Sequence, residues 1–227
     1  MTPYPSPNCG PRRDGLRPSF VVLHYTAMAD PDDALDRLCA PEHEVSAHYL
    51  IHRAGGLFQM VDEDKRAWHA GAGSWRGLND INSRSIGIEL DNDGMSPFSQ
   101  PQMASLEALL PEIMTRWGIP PEAVIGHSDL APDRKRDPGR RFDWARLAQQ
   151  GLAVWPDRAD HRAPDEQAFL ADAARFGYAC SAGLEAVLDA MRQRFRPWAT
   201  GPLAPRDMGI IADLAARFPV DPPSSIA

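Results

Sequence analysis

The sequence lacks any hydrophobic run of the roughly 20 residues that a transmembrane helix needs. Its first seven residues, 1–7, also lack the basic cluster and the apolar core of a secretory signal. The first absence excludes a membrane-spanning helix from the expected fold. The second favours the cytoplasm as the location of the protein.

Positive charge and cysteine are both scarce. Lysine and arginine number 24 against 31 aspartate and glutamate residues, giving a net charge of −7, so nucleic acid is not an expected partner. The three cysteines, Cys9, Cys39 and Cys180, are far apart and odd in number. We expect free thiols in a reducing compartment. No two cysteines have metal-ligand spacing, so cysteine explains no metal site.

Proline is abundant, and its 22 residues argue against a bundle of long helices. The apolar patterns predict strands at 19–25, 47–52, 57–61, 83–91 and 124–126, and helices at 31–39, 99–117 and 142–150. A kink or break is expected at Pro111, inside the second of these helices. The pattern after residue 165 predicts three helices and no strand, at about 169–178, 184–197 and 207–218.

These elements predict an α/β protein with a mixed central sheet flanked by helices, followed by a small all-α three-helix C-terminal domain. The first domain covers residues 1–155 and includes an extended arm to about residue 17. A polar, proline-bounded linker follows at 156–164, and the helical domain covers 165–227.

A polar, turn-rich loop at 126–139 follows the last predicted strand and carries His127 and Asp137. A catalytic zinc ion needs about three protein ligands and an open position for water. His24 ends an apolar strand, from which a side chain can project into a site. From its position alone, His24 is equally well explained as a metal ligand or as a buried neutral histidine.

Glu89 is unusual because it lies in an isoleucine-rich strand, where an ionised carboxylate is costly unless it has a use. By strand alternation Glu89 shares a face with Gly87, and the missing side chain of Gly87 leaves room for another group to approach. The alternative is that Glu89 faces solvent on a half-exposed strand.

Several short motifs stand in one order between residues 20 and 140, at 22–25, 45–51, 68–71, 85–90 and 126–139. Together they resemble the amidase-2 superfamily of N-acetylmuramoyl-L-alanine amidases. The phage and recognition-protein branches of that family usually have a tyrosine where this chain has Ala47 and a cysteine where it has Asp137. Both differences indicate resemblance to the AmpD/AmiD branch.

The resemblance implies a Zn²⁺ ion bound by His24, His127 and Asp137. It implies that Glu89 accepts a proton from water and passes it to the leaving amine, while Lys135 stabilises the oxyanion. The expected reaction is hydrolysis of the lactyl amide bond between N-acetylmuramic acid and L-alanine in peptidoglycan or muropeptides. The alternative is a non-catalytic peptidoglycan-binding or regulatory module, in which a ligand is typically lost.

Other residues in or near the motifs are candidates for contacts with substrate or for structural roles. Trp68 and His69 resemble part of the substrate groove, although a packed tryptophan beside a surface histidine is the alternative. Asn79 and Arg84 are candidates for contacts with substrate, but a solvated surface position is favoured for both. His48 is expected to be structural, and the remaining histidines are not expected to be ligands.

The C-terminal segment resembles the three-helix peptidoglycan-binding domain of AmiD-type amidases, with a purely structural helical cap as the alternative. This resemblance favours a periplasmic or cell-wall location, whereas the missing signal favours the cytoplasm, where AmpD-like enzymes recycle muropeptides. We predict the cytoplasm and a monomer.

Overall fold

The computed structural model describes residues 1–28, 31–157 and 160–220. Six of its strands form a mixed sheet in the order β1-β5-β4-β7-β3-β8, and β2 pairs with β6 in a small antiparallel sheet. The strands are β1 Thr2–Pro3, β2 Cys9–Pro11, β3 Phe20–Tyr25, β4 Tyr49–Ile51, β5 Leu57–Gln59, β6 Lys65–Ala67, β7 Ser85–Leu90 and β8 Val124–Gly126.

Helices flank the central sheet, so the predicted mixed α/β architecture is confirmed. Within the described residues no helix has the length and apolar character needed to span a membrane. The helices are α1 Pro31–Cys39, α2 Ile81–Arg84, α3 Gln100–Trp117, α4 His127–Leu130, α5 Trp144–Gln149, α6 Glu166–Phe176, α7 Leu184–Phe195 and α8 Pro205–Arg217.

The structure differs from the sequence-based prediction at four places. The N-terminal arm is not merely extended, because it contributes β1 to the large sheet and β2 to the small one. The start of the predicted strand 83–91 is the helical turn α2, and the polar loop after β8 begins with α4. Helix α3 continues through Pro111 without a break, because its buried face, including Leu110 and Ile113, packs in the core.

The central strand β3 places the functional edge of the sheet. Val21, Val22 and Leu23 are fully buried, and β3 pairs in parallel with β7 on one side and β8 on the other. Because the carboxyl ends of parallel strands meet at one edge of a sheet, the residues that end these strands come together. His24 pairs with Glu89 in the register of β3 and β7.

The three C-terminal helices pack on the same hydrophobic core as the sheet. The ring of Trp75 lies edge-on against Phe176 and Tyr178, with centroid distances of 5.5 and 5.0 Å. The predicted division into a linker at 156–164 and a domain at 165–227 stays a prediction. Residues 158–159 and 221–227 of these two segments lie outside the described residues.

Candidate metal centre and active-site cavity

Three side-chain atoms converge at the carboxyl edge of the sheet. His24 Nδ1 lies 3.0 Å from His127 Nδ1 and 2.8 Å from Asp137 Oδ2, and the last two atoms are 2.9 Å apart. All three side chains are buried. Across the described ranges, this is the one group of histidine, cysteine and acidic side chains arranged to hold a metal ion.

Each donor has a rigid support. His24 lies in β3, and His127 begins α4 directly after β8. The loop carrying Asp137 is tied back to α4, because the Ser128 amide donates to the Asp137 carbonyl at 2.9 Å. Gly126 is needed where the loop crosses, since a Cβ there would lie 2.8 Å from Cδ of Pro138.

The electrostatics of the group favour a bound cation. Burial, and then the neighbouring His127, lower the pKa of His24 to about 4, so its imidazole is neutral at pH 7. Burial opposes ionisation of Asp137, but hydrogen bonds with the two imidazoles hold its pKa well below the usual range. Neutral imidazoles with an ionised carboxylate are the form that binds a metal ion. Two nitrogens and one oxygen also match a catalytic zinc site with one open position.

Glu89 faces the cavity beside these donors rather than open solvent. Its Oε2 atom is sealed from solvent and has no hydrogen-bond partner among the described residues. Burial, and then the negative charge of Asp137, raise the pKa of Glu89 to about 8, while Lys135 acts in the opposite direction. A carboxylate with a raised pKa beside a metal site is suited to general acid–base catalysis.

A cavity of about 470 Å³ opens in front of the donors and Glu89. Lys135 lines it, and no hydrogen bond or ion pair joins its ammonium group to another described residue. Trp68 and His69 also line this cavity. Four further residues line the cavity that were not expected from the sequence: Tyr25, Thr26, Arg134 and Arg136. Each lies next to or near a predicted site residue in the chain, and that proximity was the signal that could have found them.

Other candidates lie elsewhere. Asn79 and Arg84 do not line the cavity; instead Arg84 Nε donates to the Asn79 carbonyl at 3.0 Å. The geometry therefore gives no support to substrate contacts by either residue. His48 is structural as predicted, because its Nδ1 accepts from the Gly87 amide at 2.9 Å and its Nε2 lies 3.1 Å from the Lys65 carbonyl.

Comparison with known proteins agrees with this geometry. The sequence profile of the family described as N-acetylmuramoyl-L-alanine amidase matches residues 14–140. The N-acetylmuramoyl-L-alanine amidase AmiD of Escherichia coli (strain K12) is 38% identical over 212 residues, which cover 80% of this chain and 76% of AmiD. The 1,6-anhydro-N-acetylmuramyl-L-alanine amidase AmpD of Citrobacter freundii is 38% identical over 161 residues, covering 63% of this chain and 86% of AmpD.

Solved structures are similar over nearly the whole chain. The complex of Escherichia coli AmiD with anhydro-N-acetylmuramic acid-L-Ala-D-gamma-Glu-L-Lys has a TM-score of 0.81 at 34% identity and covers 90% of this chain and 92% of AmiD. AmpDH3 of Pseudomonas aeruginosa, in complex with anhydromuramic pentapeptide, has a TM-score of 0.83 at 30% identity. The match covers 92% of this chain and 96% of AmpDH3. Both matches therefore extend into the C-terminal helices.

Proposed function

Because the chain belongs to the family of N-acetylmuramoyl-L-alanine amidases, and cleaves the amide bond between N-acetylmuramic acid and L-alanine in muropeptides, we propose that its metal is zinc. His24, His127 and Asp137 would hold the ion. When bound, zinc lowers the pKa of a coordinated water to about 7 and polarises the scissile carbonyl. The observation that carries the proposal is the buried donor triangle beside the unpartnered oxygen of Glu89.

In this proposal Glu89 transfers the proton and Lys135 stabilises the developing negative charge. The Glu89 carboxylate accepts a proton from the attacking water and returns it to the alanine nitrogen as the carbon–nitrogen bond breaks. The Lys135 ammonium, which has no other partner in the described structure, stabilises negative charge that develops on the carbonyl oxygen. A non-catalytic module would not need to retain all five of these residues.

The test is cleavage of defined substrates with and without a chelator. Anhydro-muropeptides and intact sacculi are incubated with the zinc-loaded protein, and the products are identified by mass spectrometry. We expect free stem peptide beginning with L-alanine, lost on chelation and restored by zinc. If zinc is bound but neither substrate is cleaved, the peptidoglycan-binding or regulatory alternative holds instead.

We also propose that the C-terminal helical segment binds glycan next to the active site. Trp198, which follows α7, is 69% exposed and lines a second cleft of about 740 Å³. Tyr25 and Arg136 line both this cleft and the active-site cavity, so the two adjoin each other. An exposed indole face can pack on the apolar face of a sugar ring. The exposed Arg141 in the same cleft can pair with a carboxylate of the peptide.

Replacing Trp198 by alanine is expected to weaken binding to intact sacculi several-fold and to leave kcat on a small anhydro-muropeptide unchanged. The reason is that the indole lies in the second cleft and not in the cavity with the metal donors. Sedimentation with sacculi and single-substrate kinetics measure the two effects. The control Trp198→Phe keeps an aromatic face and should bind as the parent does. Equal sacculus binding by all three proteins would remove the proposed glycan site.

We also propose that the protein is located in the cytoplasm and is a monomer. All three cysteines are free thiols in the structure, which suits a reducing compartment. Cell fractionation tests the location, and light scattering of the purified protein tests the oligomeric state. Recovery from the periplasm or a stable dimer would contradict the respective part.

A further inference from the structure

We propose that the dipeptide His69 and Ala70 fixes the tautomers of both imidazole ligands, and that Ser85 sets the direction of the hydrogen bonds on the His24 side. The inference rests on the proposed metal role of His24 and His127. It assigns His69 the role of positioning the imidazole of His24, in place of the substrate contact expected from the sequence.

The His127 side depends on the backbone of this dipeptide. His127 Nε2 lies 3.0 Å from the carbonyl oxygen of Ala70. A carbonyl oxygen only accepts hydrogen bonds, so Nε2 carries the proton and donates it. The lone pair of His127 Nδ1 is therefore left for the metal site, where Nδ1 lies 2.9 Å from Asp137 Oδ2.

The His24 side depends on a chain of three hydrogen bonds. The Ser85 hydroxyl donates its single proton to the Ile81 carbonyl at 2.6 Å, so towards His69 Nε2, at 3.2 Å, it can only accept. His69 is then protonated on Nε2, and its Nδ1 accepts from His24 Nε2 at 3.0 Å. This leaves Nδ1 of His24 unprotonated and facing His127 and Asp137.

The position of the dipeptide is itself fixed by two residues from neighbouring elements. The side-chain oxygen of Asn82 accepts from the amides of His69 and Ala70 at 3.0 and 2.8 Å. Gly87 in β7 makes room for the imidazole, since a Cβ there would lie 2.5 Å from Cγ of His69. The sequence-based expectation that some group approaches the face of Gly87 is confirmed, and that group is His69.

Reversing this chain of hydrogen bonds would oppose metal binding. If His69 carried its proton on Nδ1, it would donate to His24 Nε2, and the neutral His24 would carry its own proton on Nδ1. That proton would point into the metal site and would have to leave before an ion could bind. Partners that orient ligating histidines typically change metal affinity by about 10–100-fold when they are mutated.

His69→Phe tests the acceptor, because phenylalanine keeps a ring over Gly87 but cannot accept the proton of His24 Nε2. We expect the zinc dissociation constant, measured by competition with a chromophoric chelator, to rise about 10–100-fold. His69→Gln offers a carbonyl acceptor and should recover much of the affinity. His43→Phe makes the same change at an exposed histidine and should have no effect. An unchanged dissociation constant in folded His69→Phe would overturn the proposal.

Ser85→Ala is a smaller change that keeps the proposal testable if His69→Phe does not fold. It frees His69 to adopt the other tautomer, so zinc affinity should fall, whereas Ser83→Ala, at a buried serine outside the chain of hydrogen bonds, should leave it unchanged. Nitrogen-15 NMR of labelled histidines should show His24 protonated on Nε2 in the parent and a mixture in Ser85→Ala. Identical His24 tautomers and zinc affinities would contradict the inference. Neither readout uses turnover, so a failed amidase assay would leave this test intact.

Discussion

Replacing Glu89 by glutamine is expected to lower kcat about 10²–10⁴-fold while the protein keeps its zinc. Glutamine has nearly the same shape but cannot take a proton from water or deliver it to the leaving amine. Glu89 lies outside the donor group of His24, His127 and Asp137, so the metal should remain bound. The measurements are kcat on an anhydro-muropeptide and zinc content by elemental analysis.

The matched control is Glu42→Gln, which makes the same change at an exposed glutamate and should leave kcat unchanged. Near-parental turnover by Glu89→Gln would remove Glu89 from the mechanism. Loss of zinc together with turnover would instead assign Glu89 a part in holding the metal.

Replacing Arg194 by methionine is expected to lower the free energy of unfolding by about 3–5 kcal/mol, the usual cost of breaking a buried ion pair. Arg194 Nη1 donates to Asp129 Oδ2 at 2.8 Å, and Arg194 and Asp129 are 2% and 1% exposed. Asp129 lies in α4, two residues after His127, and it also accepts from the Tyr178 hydroxyl at 2.7 Å. Without Arg194, the carboxylate of Asp129 stays buried with neutral hydrogen-bond donors only. The helical turn α4, which carries the metal ligand His127, should therefore become less stable.

Two comparisons separate this effect from ordinary loss of surface charge. Arg217→Met breaks partly exposed pairs with Asp157 and Asp213 and should cost less than about 1 kcal/mol. Adding Asp129→Asn to Arg194→Met should restore part of the stability, because the uncompensated charge is removed. Urea unfolding at constant zinc concentration measures the parent and the three variants. Equal losses for Arg194→Met and Arg217→Met would show that the buried pair does not support the metal turn.

The metal donors could be predicted from the sequence because strand ends are visible in it. His24 ends an apolar run and His127 follows another, and parallel pairing brings such ends to one edge of the sheet. Glu89 could be found because an ionised carboxylate within an isoleucine-rich strand costs free energy, which indicates that it has a function. The space beside Gly87 was visible too, but the group that fills it was not.

The missed features depend on contacts between distant parts of the chain. The role of His69 follows from the proton direction of Ser85, 16 residues away, and no local pattern encodes that direction. Likewise Arg194 meets Asp129 across 65 residues, and no local pattern in the sequence encodes this contact. Asn79 and Arg84 were singled out by their proximity in sequence to β7, and neither of them lines the cavity.

The most direct test of the central claim is hydrolysis of an anhydro-muropeptide in water enriched in oxygen-18, followed by mass spectrometry of both products. Attack of water on the lactyl carbonyl predicts the label in the new carboxylate of the muramic acid product. The released peptide should carry an unlabelled, free L-alanine amine, and a chelator should abolish both products. Label in the peptide, cleavage at any other bond, or the same cleavage after complete removal of the metal would contradict the account.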